Sequence, residues 1–334
     1  MTKTERIKEA LGHKYSGCVP YAINFTGEAI KLYGERLLSD YADDKVISDY
    51  KNGILNLAEA VSLGIGNYML YVYAPWWNWH NVPDYFYNEF DTPEHMPDTI
   101  GTGSYEAFFE RVKYLKENYD VYLLATIWGS HFEKAYFSRG IENFLADLAG
   151  SPEWSQQLLD MIIRKNMVMV ENFLNVREID GVLLGSDWGT QNDLIMSPGC
   201  WRTKIKNGEK QEYDLVKKYG KDVFVHSCGN IEKVLDDLVE IGLQGLNPVQ
   251  PECMDIYKIK SNYGNKLTLF GGISTQKTLP YGTPQEVIKE AERVINALSV
   301  NGGYITAPSQ EIQTDVPYEN VRALIDTAKA MVHA

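Results

Sequence analysis

Residues 220–250 read GKDVFVHSCGNIEKVLDDLVEIGLQGLNPVQ, and this stretch decides the fold. Its apolar runs at 223–228 (VFVHSC) and 245–250 (GLNPVQ) have the length and composition of buried strands. An amphipathic segment separates them and stops at Gly242, just as Gly220 stops the segment before. Strand, helix and strand in so short a span make a βαβ unit, whose two strands run parallel.

Working outward, the same pattern recurs. Six more apolar runs lie near 19–25 (VPYAINF), 68–73 (YMLYVY), 121–127 (VYLLATI), 181–186 (GVLLGS), 267–273 (LTLFGGI) and 303–308 (GYITAP). The segments between them begin with caps: Ser151-Pro152-Glu153, Ser197-Pro198, and Thr283-Pro284-Gln285-Glu286, a capping box with proline at the first helical position. Gly264 marks a further helix stop. Eight strands alternating with helices is the number that closes an α/β (β/α)8 TIM barrel, the expected fold. No linker or repeat divides the chain, so residues 1–334 read as one barrel domain with an N-terminal helix. The stretch from about 74 to 104 is too long for an ordinary βα loop. With its aromatics and Pro75, Pro83, Pro93 and Pro97 it reads as an ordered lid over the barrel mouth.

Composition narrows the function classes. The 334 residues are 44% hydrophobic and 23% charged, a globular balance with no run long enough to span a membrane. Lys plus Arg, 32, against Asp plus Glu, 45, leaves −13, which disfavours nucleic acid as a partner. The start, MTKTERIKEALGHKYSG, has no apolar secretory stretch, so a cytoplasmic location is expected. Four scattered cysteines, Cys18, Cys200, Cys228 and Cys253, make no disulfide framework. Aromatics are abundant, with 22 Tyr, 7 Trp and 11 Phe.

A TIM barrel builds its site where the strands end. Alternation along the run VFVHSC puts His226 and Cys228 on one face there, and an imidazole with a thiolate suits zinc. A core histidine hydrogen-bonded beside a small buried cysteine is the bland alternative. Other run ends add polar groups: Asp187 and Gln191 in GSDWGTQ, His131 and Glu133 in GSHFE, Gln250 in NPVQPE, and Ser309, Gln310 and Glu311 in APSQE. Gly271 and Gly272 let their strand's backbone approach something closely.

Taken in order, GSDWGTQ, SPGCWR, VFVHSCGNI, LNPVQPE, LTLFGGISTQ, LPYGTP, GGYITAPS and IQTDVPYEN resemble the uroporphyrinogen decarboxylase-like superfamily. The likeness is closer to its corrinoid-dependent methyltransferase branch. RIKEALGHK and FEKAYFSRGIENFLADL match more loosely. The resemblance implies a TIM barrel and a zinc ion on the H-x-C pair, here His226 and Cys228, plus a later Cys or His. At that later position this chain has Gln310 followed by Glu311. A carboxylate from Glu311, Asp187 or Glu133 then completes the site, Cys253 reaches in, or the metal is weakly held or lost. The decarboxylase branch uses an Arg-rich segment after the first strand, and NFTGEAIKLYGERL, with Lys31 and Arg36 in a helical pattern, does not reproduce it.

The expectation is therefore a zinc-dependent methyltransferase moving a methyl group between a small molecule and the cobalt of a corrinoid carried by a partner protein. An aromatic methyl ether is the first substrate expected, its phenolate oxygen stabilised by the metal as it leaves; transfer to a thiol suits the same site. His226, Cys228, Asp187 and Glu133 are the catalytic candidates, and Glu311 joins the first two as a metal ligand. Trp76, Trp77, Trp79 and His80, with Tyr85, Phe86 and Tyr87, suit a lid around an aromatic or quaternary ammonium group. They equally suit rim packing or a homodimer interface. His131, Gln191, Gln250 and Gln310 are further substrate-binding candidates. A metal-free decarboxylase and a non-catalytic ligand-binding barrel remain the alternatives.

Overall fold

The computed structural model describes residues 1–15, 17–79 and 99–333, so His80, Tyr85, Phe86 and Tyr87 lie outside the described residues. Nine strands are assigned among them: β1 (Met69–Tyr73), β2 (Trp76–Trp79), β3 (Thr99–Thr102), β4 (Tyr122–Ile127), β5 (Gly181–Gly185), β6 (Asp222–His226), β7 (Gly245–Val249), β8 (Thr268–Ile273) and β9 (Tyr304–Pro308). Seven form one sheet in the order β1-β4-β5-β6-β7-β8-β9. Every residue of β4 to β9 is buried, which is why these strands read as continuous apolar runs and not as alternation. Strands in chain order with intervening helices give the TIM-barrel type of α/β fold. No helix among the described residues is long and apolar enough to cross a membrane.

The chain divides into two compact units. The first comprises Met1–Leu70, Tyr119–Tyr122 and Gly245–Ala334. Here β8 and β9 pair in parallel from Leu269↔Tyr304 to Ile273↔Pro308, while β7 and β8 pair with a register shift between Leu246 and Val249. Gly271, at φ 149°, supplies the close approach its sequence suggested. A Cβ there would stand 2.7 Å from the Val249 nitrogen, so what comes close is the neighbouring strand. The helix Pro284–Leu298 begins with the expected capping box on Thr283 and Glu286.

One expected strand takes another form. The run at 19–25 makes only isolated parallel bridges, Tyr21↔Thr306 and Phe25↔Ile312. Its main chain is held from both sides: Ala22 N–H donates to Thr306 O and Thr306 N–H to Pro20 O, while Tyr68 N–H donates to Tyr21 O. The ladder breaks at Ile23, whose backbone is bonded by a side chain instead. Asn67, fully buried, accepts from Ile23 N–H at 2.9 Å and donates to Ile23 O at 2.9 Å. An amide side chain thus stands where a strand neighbour would be, and the run occupies a stave position without regular pairing.

The second unit comprises Tyr71–Asn118 and Leu123–Gln244. Its parallel core runs β4–β5–β6, in registers Leu124↔Gly181 to Ile127↔Leu184 and Gly181↔Asp222 to Gly185↔His226. The described part of the expected lid is an antiparallel ladder of β2 and β3, from Trp76↔Thr102 to Trp79↔Thr99. Helix Pro152–Phe173 starts with proline in its first turn, but Ser151 makes no side-chain cap bond there; Ser197 does cap Pro198–Lys204.

Asn67→Leu would leave both polar groups of Ile23 buried and unbonded. We expect it to destabilise the protein by about 3 kcal/mol, read as a lowered thermal midpoint.

Candidate metal centre

The parallel register of β5 and β6 assembles the site. Gly185 pairs with His226, and Ser186 N–H extends the ladder to His226 O at 2.9 Å. Two residues beyond each partner stand Asp187 and Cys228, side by side. The loops that carry them are then joined by three backbone N–H donors, two to side chains and one to a carbonyl. Cys228 N–H donates to Asp187 Oδ1 at 2.9 Å, Trp188 N–H to Ser227 Oγ at 2.9 Å, and Asn230 N–H to Thr190 O at 2.7 Å. Gly189 and Gly229 sit at the seam; a Cβ on Gly189 would meet Cys228 O at 2.3 Å. Asp187 holds φ 43°, a left-handed conformation that Asp tolerates better than most residues and that recurs at functional sites.

Three donor atoms converge as a result. Cys228 Sγ lies 3.4 Å and Asp187 Oδ1 3.8 Å from His226 Nε2, and the three residues' ligand atoms all fall within 4.8 Å of one another. A tetrahedral zinc with bonds of about 2.0–2.3 Å has ligand-to-ligand edges of roughly 3.3–3.6 Å. The His226–Cys228 separation matches such an edge, while Asp187 stands farther out, 3.8 Å from His226 Nε2, and would have to close on the ion. Three protein ligands also leave a fourth position for an exchangeable group, the pattern of catalytic zinc. His226 is nearly buried and Asp187 about one-third exposed, so the group opens to one side. H-x-C thus does place both side chains together, and Asp187 joins them from the preceding loop.

Glu133 stands close by. Its Oε2 accepts from Gly129 N–H at 2.9 Å and lies where a side chain on residue 185 would be, 2.4 Å from an ideal Cβ; glycine at the end of β5 makes that room. Burial, reinforced by the Asp187 charge, pushes the Glu133 carboxyl up to about 7.

His131 goes elsewhere. It is 1% exposed, its Nδ1 3.4 Å from Glu209 Oε1, against Gly208, where any Cβ would strike the imidazole. Burial lowers its pKa to about 4 and raises both Glu209 and Glu212 to about 8. Ser130 and Asn166 donate to Glu212, and Trp77 Nε1 donates to Asn166 at 2.8 Å. His131 therefore belongs to a buried polar cluster that anchors the β2–β3 hairpin, and its enclosed ring is no rim group. Trp76 and Trp77 are likewise buried, with Trp76 Nε1 on Gly129 O at 3.2 Å. Of Trp79 only the backbone pairing is described.

Gln191 is exposed. Gln250, Gln310 and Glu311 belong to the first unit. Gln250 is buried, and Gln310 Oε1 accepts from Glu311 N–H at 2.9 Å. Burial raises the Glu311 carboxyl to about 7. In the same unit the Arg36 guanidinium lies 3.7 Å over the Tyr318 ring, and Lys31 is exposed in the helix Gly27–Tyr41. The sequence reading passed over Trp128. Its ring meets the His226 imidazole edge to face at 4.8 Å while remaining 38% exposed, and its position directly after the β4 run was the available signal.

The family model described as Uroporphyrinogen decarboxylase (URO-D) matches residues 83–331. Curated relatives include methylcobamide:CoM methyltransferase MtaA of Methanosarcina barkeri, 30% identical over 39% of this chain and 36% of that protein. The uroporphyrinogen decarboxylase of Vesicomyosocius okutanii is 26% identical over 54% of this chain and 50% of its own. A methylated-thiol–coenzyme M methyltransferase of Methanosarcina mazei is 21% identical over 72% and 63%. The chain thus spans less than two thirds of each of these relatives. Among solved structures, a methyltransferase from Methanosarcina mazei shares the fold over 99% of both chains, with TM-score 0.69 and 18% identity.

The buried cluster sets a pH dependence. Glu209 and Glu212 keep protons in the folded state that the unfolded chain releases near 4.5, so stability falls as pH rises from there through about 8. His131 works oppositely, costing stability as pH falls from 6.5 toward 4. Between pH 6.5 and 8 the carboxyls alone contribute. There Glu212→Gln, which keeps the hydrogen bonds, should spare on the order of 1–2 kcal/mol of the wild-type loss, measured as a flatter dependence of thermal midpoint on pH.

Proposed function

We propose that this chain, which belongs to the uroporphyrinogen decarboxylase (URO-D) family, is a metal-dependent methyltransferase that moves a methyl group between a small molecule and the cobalt of a corrinoid carried by a partner protein. The observation that carries this reading is the convergence of Asp187, His226 and Cys228 at the ends of β5 and β6. The methyltransferase branch the sequence resembles implies a metal on the H-x-C pair with a later Cys or His, a position filled here by Gln310. Here Asp187 is the third donor proposed.

When bound, zinc supplies a Lewis acid that draws charge from the substrate heteroatom at its open position. The protein's own groups do the rest. His226 enters as a neutral nitrogen donor and Cys228 as a thiolate, and Asp187 orients the thiolate loop by accepting from the Cys228 amide. With one thiolate and one carboxylate the ligand set carries two negative charges, enough to neutralise a divalent cation and leave the open position to a weakly charged heteroatom. Glu133, held by the Gly129 amide and titrating near 7, is the proton carrier. It gives a proton to a departing oxygen or takes one from an incoming thiol near neutral pH.

An aromatic methyl ether remains the first substrate proposed. A thiol acceptor is the second, favoured by the Methanosarcina barkeri and Methanosarcina mazei relatives, both named for methyl transfer to coenzyme M. Porphyrinogen decarboxylation has less support, since Arg36 is occupied on Tyr318 and Lys31 faces solvent.

Protein purified without chelator should contain about one zinc per chain by elemental analysis, and His226→Ala should lose it. Methyl transfer to cob(I)alamin, or from methylcobalamin to a thiol, should vanish with the metal. Carbon dioxide release from a carboxylated substrate by the metal-free protein would refute the reading. Glu133→Gln should keep the metal and lower turnover by about 10²-fold or more.

A further inference from the structure

Trp128 follows β4, a strand whose every residue is buried, yet its own ring is 38% exposed. Its backbone leaves it little freedom to turn inward. The next residue, Gly129, is bonded on both sides: its N–H donates to Glu133 Oε2 at 2.9 Å, and its carbonyl accepts from the buried Trp76 indole at 3.2 Å. The ring itself rests over Gly185, where an ideal Cβ would come within 3.1 Å of Cε3. Its plane stands at 89° to the His226 imidazole, centroids 4.8 Å apart. These contacts leave the indole 38% exposed beside the imidazole of the donor group, where a core-packing role would have buried it.

We propose that Trp128 determines substrate specificity at this site: its exposed indole face takes the ring of an aromatic methyl carrier whose oxygen or sulfur reaches the metal's open position. The inference rests on the metal site proposed above. A rigid indole offers offset stacking to another ring at 4.5–7 Å and offers much less to a short alkyl chain. Selection therefore falls on the flat group next to the heteroatom. It also assigns Trp76, buried and bonded to Gly129, the part of a positioning residue in place of a substrate contact.

The test uses the full chain loaded with Co(II), with thiophenol and ethanethiol as probes and the sulfur-to-cobalt charge-transfer band as readout. Trp128→Phe keeps a ring, whereas Trp128→Leu keeps bulk against His226 without one. We expect Trp128→Leu to weaken thiophenol by about tenfold and ethanethiol by less than about threefold, and Trp128→Phe to hold both within about threefold. Equal losses for the two thiols, or no loss, overturn the proposal. So does failure of both variants to retain Co(II), which would make Trp128 only a prop for His226. Wild-type protein that takes up no Co(II) overturns the metal reading, and this inference with it.

Discussion

The site depends on the parallel register of two strands. Pairing Gly185 of β5 with His226 of β6 fixes which residues emerge side by side beyond the sheet. A slip of one residue would turn His226 to the opposite face and separate Cys228 from Asp187. The register is secured past the strand ends, where Ser186, Trp188, Cys228 and Asn230 each donate a backbone N–H across the seam. Such a run of bonds requires the two main chains to touch, which explains glycine at both 189 and 229. The left-handed turn at Asp187 is the local cost of bringing its carboxylate back over the pair.

Burial then sorts the polar residues near this seam into different roles. Asp187 stays about one-third exposed, on the open side of the donor group. Glu133, a turn into the following helix and nearly buried, is shifted into the range where a carboxyl holds a proton near neutrality. His131, only two residues earlier, is enclosed among Gly208, Glu209 and Glu212 and held neutral. Helix His131–Arg139 carries both, and their faces differ by about 200° at 100° per residue. One faces the donor group and the other the interior.

The strand runs were legible because a parallel sheet covered on both faces needs unbroken apolar sequence, and seven of the eight became strands at or within a residue or so of the limits read for them. The run at 19–25 was apolar for the same reason, but its pairing depended on Asn67, more than forty residues away, and no local pattern announces that. Alternation along one strand was enough to single out His226 and Cys228, although β6 ends at His226 and Cys228 is held beside it by the bond from its N–H to Asp187. Trp128 was not legible, because exposure at a strand end is decided by what the next residue's backbone is bonded to, here Glu133 and Trp76.

By itself, the sequence determined the fold class and the H-x-C pair, since both follow from short-range periodicity: length and apolarity of runs in one case, the two-residue repeat of a strand in the other. Only tertiary structure decided that Asp187 lies within reach of His226 and Cys228, that His131 is buried away from the rim, and that Trp76 and Trp77 hold the hairpin while Trp128 stands open. Each of those outcomes turns on a contact between segments far apart in the chain, set by strand register and by which backbone groups find partners.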